Sequence, residues 1–133
     1  MFKHLPNTAL GLLACLTSAS AQTLGDRAAL QAALIQQIDR STIDGAFLAV
    51  NLKTKSVERL IPAQDHTTTF IWGKLFIVAY TFNDETGQPV EVDFVIARQN
   101  NAFVVVQTLT GTREELGSLV ASGGARPLDE VLR

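Results

Sequence analysis

Phe70-Ile71-Trp72-Gly73-Lys74-Leu75-Phe76-Ile77-Val78-Ala79-Tyr80-Thr81-Phe82 is the stretch on which the fold turns. Phe70, Trp72, Phe76, Tyr80 and Phe82 all stand at even positions. Residues two apart in an extended strand point the same way, so one long strand over 68–82 would carry its rings on one side. Gly73 inside that strand predicts a bulge or bend. Asn83-Asp84-Glu85-Thr86-Gly87-Gln88-Pro89 then reads as a turn, and Val90 to Arg98 as the next strand.

Pairing the two strands tests which side is dry. With Phe82 opposite Val90, Tyr80 meets Val92, Val78 meets Phe94 and Phe76 meets Ile96, so the even face is apolar throughout. The odd face mixes Thr81 with Glu91 and Ala79 with Asp93, then Ile77 with Val95. Directly paired residues share a face. A slip of one residue would turn Glu91 and Asp93 into the core, at a cost of several kcal/mol (~2–7 for each unpaired polar group), which enforces the parity.

Working outward, Asp26 to Arg40 reads as a helix with Thr23 as a cap and Leu30, Leu34 and Ile38 on one face. Asp44-Gly45 is a turn signal. Ala46 to Leu52 reads as a strand with Ala46, Leu48, Val50 and Leu52 on one face, and Val57 to Ile61 as its return. Gln99-Asn100-Asn101 turns the chain into a strand over Ala102–Leu109, apolar on both faces. Thr112-Arg113-Glu114-Glu115 has the spacing of a capping box, and Leu116, Leu119 and Val120 follow on a helix that Gly123-Gly124 ends. Pro127 suits the first position of a last helical turn. The expected fold is therefore α+β: an N-terminal helix packed on a five-stranded antiparallel meander sheet, followed by a C-terminal helix. In element order alone this resembles the cystatin-like and NTF2-like folds, which host many functions.

Residues 1–21 read as a secretory signal: Lys3 and His4, an apolar run from Ala9 to Leu16, and the small pair Ala19 and Ala21 before a cleavage point. Residues 22–133 are then a single domain. Leu12-Leu13-Ala14-Cys15 offers a second route, a lipid anchor at Cys15, which bulky Leu13 and the nearby Pro6 disfavour. The apolar run is shorter than the roughly 20 residues of a bilayer span. Cleavage after Ala21 removes the sole cysteine, leaving no thiolate and no disulfide. The expected location is periplasmic or secreted.

The formal charge of −2 becomes −3 without Lys3, and the basic residues do not cluster. That composition argues against nucleic acid, whose affinity rests on neutralised phosphates. His66 lies in a polar loop after Asp65, with no nucleophile at a defined spacing. Asp84/Glu85, Glu114/Glu115 and Asp129/Glu130 sit where solvated carboxylates usually do. Glu91 and Asp93 would matter only if the odd sheet face lined a cavity. Neither a metal nor a cofactor motif is present.

The surplus feature is apolarity on the odd face, at Leu75, Ile77, Val95 and Ala97. A second helix, a second subunit or an envelope partner would have to cover it. The leading expectation is an exported binding protein of the bacterial envelope, non-catalytic, acting on an envelope partner or an apolar small molecule. The first alternative is a small enzyme or ligand-binding protein with Tyr80, His66 or Asp93 at a pocket between helix and sheet. The second is a structural accessory of the envelope.

Overall fold

A computed structural model describes residues 25–63 and 67–131. The leader expected over 1–21 with Cys15, the expected cap Thr23, and His66 lie outside the described residues. The chain is α+β, with an open antiparallel sheet of many strands and a few helices.

Helix α1 spans 25–40. It is followed by β1 (Thr42–Ile43), β2 (Ala46–Asn51), β3 (Ser56–Pro62), β4 (Thr68–Trp72), β5 (Leu75–Asn83), β6 (Pro89–Gln99) and β7 (Ala102–Thr110). Helix α2 (Arg113–Ala121), β8 (Arg126–Pro127) and the short α3 (Leu128–Val131) complete it. The strand predicted over 68–82 is two strands. Gly73, with φ +59°, turns the chain between paired Trp72 and Leu75. Glycine at the first position of a two-residue hairpin loop supplies the positive φ that side-chain-bearing residues resist.

That hairpin corrects the grouping of the rings. β4 pairs with β5 so that Phe70 opposes Ile77 and Trp72 opposes Leu75. Paired residues share a face, so Phe70 and Trp72 stand on the odd face of β5, opposite to Phe76, Tyr80 and Phe82. The β5–β6 ladder has the predicted register, from Phe82↔Val90 to Leu75↔Ala97.

Leu30, Leu34 and Ile38 of α1 form one core cluster with Phe47, Leu60, Val78, Phe82, Val92, Phe94 and Ile96. Phe47 stacks on Phe82 with ring centroids 4.8 Å apart and meets Phe94 edge-on at 5.9 Å. Phe76 and Phe103 make another edge-on pair at 5.5 Å. Salt bridges from Asp26 to Arg98 and from Arg27 to Asp129 tether the start of α1 to β6 and α3. The opposite sheet face holds a smaller cluster, Ile77 and Ala79 with Leu116, flanked by Phe70, Leu119 and Val120. Two helices thus take opposite sides of β5.

β3 and β4 share one edge of β5. Pro62 pairs with Phe82, the Ala63 amide donates to the Thr81 carbonyl, and pairing resumes at Thr68↔Ala79. The β2–β3 hairpin therefore swings away from the ladder, and the end of β7 comes beside β2, where the Thr110 hydroxyl donates to the Val50 carbonyl at 3.4 Å. On β2 Ala46, Phe47 and Ala49 are buried and Leu48 is half-buried, whereas Val50 is 60% exposed and Leu52, just past the strand, 82%. So the second half of the apolar series read from Ala46 to Leu52 looks outward, while Ala46 is covered. The final residues also differ from expectation: Arg126 and Pro127 pair with β4, and the helix begins only at Leu128.

Candidate functional site

Asp93 is the one buried charged residue among those described, with its side chain 3% exposed. Its place follows from the register: it is paired with Ala79 on the odd face, one residue from Val92 and Phe94 in the α1-side core. The sequence reading left Glu91 and Asp93 on an ordinary wet face. The structure covers Asp93 with the first turn of α2, and leaves Glu91 exposed.

A buried carboxylate is tolerated only when its lone pairs are met. Thr112 Oγ1 donates to Asp93 Oδ2 at 3.2 Å and Arg113 Nη2 donates to Oδ1 at 3.0 Å. Arg113 Nη1 also lies 3.2 Å from Glu91. This explains why the capping box does not form. Thr112 occupies the N-cap of α2 without a side-chain cap bond, because its hydroxyl is turned to Asp93. Arg113 Nε is buried with no partner, so the guanidinium is held by its two nitrogens at the tip.

Beside Asp93 lies a half-open recess of about 160 Å³ between the odd sheet face and α2. Ile77, Val95, Leu109, Leu116 and Leu119 wall it, with Trp72 and Glu115 among the residues that complete it. Trp72 is 41% exposed. Leu109 reaches this face because β7 carries an extra residue, Val106. Asp93 pairs with Leu109 and Val95 with Gln107, but Ile96 pairs with Val105.

The residues singled out from the sequence separate. Ile77 and Val95 line the recess and are buried, while Leu75 and Ala97, paired with each other farther along the ladder, are half-buried outside it. Asp93 lines the recess; Tyr80 packs against the α1-side core and contacts the Phe82 ring at 4.7 Å. Tyr80 and Asp93 therefore occupy opposite faces of the sheet and do not share a pocket. Thr112, Arg113, Trp72, Glu115 and the α2 leucines were not picked out as site residues. Arg113 stands twenty positions from Asp93, and no local pattern links them. The outward hairpin face is a second apolar surface: Val50 and Val57 are directly paired, 60% and 62% exposed, with Ile61 farther along the same side of β3.

Among the described residues no helix is long and apolar enough to cross a membrane, and no three His, Cys, Asp or Glu side chains gather to hold a cation. Comparison with family models, with curated proteins and with solved structures found no match.

Proposed function

We propose that this is a small exported binding protein of the bacterial envelope, periplasmic or secreted, that holds an apolar small molecule and performs no reaction on it. The observation that carries this reading is the recess under α2: apolar walls with one polar group fixed in place by its own partners. Small-molecule sites combine mostly apolar linings with a few oriented polar groups. Asp93 is committed to Thr112 and Arg113, which suits it to shaping a wall better than to moving a proton. The enzyme alternative loses support because Tyr80 and Asp93 are on opposite faces. In this reading the element order, a helix leading into antiparallel strands, resembles that of the cystatin-like and NTF2-like folds, with the ligand on the face away from α1.

The test is a titration of the labelled domain with ethylbenzene followed by amide chemical shifts. Saturable shifts at Ile77, Val95, Leu109, Leu116 and Leu119 are expected, and a flat titration with ethylbenzene and with its amine and carboxylate analogues removes the reading. The export half is tested by the mass of the protein recovered from the envelope, where cleavage after Ala21 is expected and a diacylglyceryl adduct on Cys15 would replace it.

A second reading, association through the β2–β3 hairpin with an envelope partner or a second copy, rests on the exposed Val50–Val57 pair. Light scattering of the purified chain and of a Val50→Lys/Val57→Glu variant addresses it: a dimer that the variant dissolves supports self-association.

A further inference from the structure

Resting on the reading of the recess as a ligand site, we propose that the molecule whose apolar body it holds carries one positive charge at its outer end, an arylalkylamine in size and charge. Two carboxylates, Asp93 and Glu115, are among the nine lining residues, and no Lys or Arg is. Arg113, the cation bonded to Asp93, sits between Asp93 and Glu91 at 3.0 and 3.2 Å, so its charge is already outweighed. Glu115 stands exposed at the mouth with no ion-pair or hydrogen-bond partner among the described residues. The field across the opening is therefore negative, and it acts beside low-dielectric walls, where charge is felt more strongly than in water.

The positive end of the α2 dipole opposes this. It amounts to about half a charge and is met by Glu114 and Glu115 in the same turn, so it does not reverse the sign. Trp72 adds an exposed ring at the mouth, a surface that attracts cations. The size of the body follows from the space: a cavity of about 150 Å³ accommodates one benzene ring, and this recess offers about 160 Å³. A single ring seated against Ile77, Leu116 and Leu119, with its ammonium near Glu115 and Trp72, matches the volume, lining and charge together.

The experiment compares three probes with one ring and different heads: phenethylamine, ethylbenzene and 3-phenylpropionate, titrated at neutral pH and low salt by calorimetry and amide shifts. Phenethylamine is expected to bind about tenfold or more tighter than either of the others. Glu115→Gln, whose folding is checked by its melting curve, is expected to weaken phenethylamine about fivefold, a loss of ~1 kcal/mol, and to leave ethylbenzene unchanged. Equal affinity for amine and hydrocarbon, or a preference for the carboxylate, overturns the amine assignment and leaves the apolar site standing. No saturable binding by any of the three removes both.

Discussion

The β5–β6 ladder and the β2–β3 hairpin are built from similar apolar alternation, yet the ladder is covered on both faces and the hairpin on one. α1 lies against the even side of the ladder and α2 against much of its odd side. The hairpin shares only the α1-side core, through Phe47, Ala49 and Leu60, and leaves Val50 and Val57 in water. Hydrophobic sequence is thus no guide to burial by itself. What decides is whether another element reaches the face, and here α2 reaches β5 and β6 but not β2 and β3. The covered face acquires a cavity with a fixed carboxylate, and the uncovered one is plain surface.

Four measurements sharpen that contrast. Phe82→Ala removes a ring at the centre of the doubly covered region and should cost about 3–5 kcal/mol in chemical denaturation. A loss below ~1 kcal/mol would mean that the even face is not the main core. Next, Arg113→Leu strands the Asp93 carboxylate. Breaking a fully buried pair costs about 3–5 kcal/mol, and the one-third exposure of Arg113 places this change nearer the low end of that range. Adding Asp93→Leu should recover most of the loss, since two apolar groups can replace a buried pair; no recovery would show that the loss comes from α2 packing.

On the uncovered hairpin, Val57→Thr should move stability by no more than ~0.5 kcal/mol. A larger loss would reveal a partner on that face.

The smallest effect is at the turn linking the ladder strands. Asp84 Oδ1 accepts from the Thr86 hydroxyl at 2.6 Å, and from the Thr86 and Gln88 amides at 2.9 Å. The Thr86 hydroxyl first, then the Gln88 amide, hold the Asp84 carboxyl below its ordinary value of 3.8. A depressed carboxylate stabilises the fold fully above its unfolded value, and that contribution fades as pH falls through 3.8 towards the folded value. The melting temperature of Asp84→Asn should therefore lie slightly below that of the parent at neutral pH and converge with it in acid. A gap that persists unchanged at low pH would remove the turn carboxylate as its cause.

The ladder was legible because its odd face carries Thr81, Glu91 and Asp93, which fix parity. The β2–β3 pair offered no such marker. Leu48, Val50 and Leu52 look as apolar as Phe47 and Ala49, and only the tertiary partner selects the latter. Gly73 was recognised as a break, but a glycine bends a strand or reverses it with equal ease, and reversal moved Phe70 and Trp72 to the other face. The recess was half legible: Ile77, Val95 and Asp93 could be read from one strand pair, whereas Leu116, Trp72 and Leu109 arrive from separate elements. Leu109 depends on a single inserted residue that pattern reading does not register.

That inserted residue, Val106, has a consequence at the rim of the sheet. β7 is otherwise a nine-residue strand without charge, and its pairing is all with β6. A flat edge of this kind is a template for polymerisation by incoming chains. The kink at Val106 breaks its straight row of amides and carbonyls, so a neighbour can align with either half but not with both. The same irregularity that hands Leu109 to the recess thereby shortens the template.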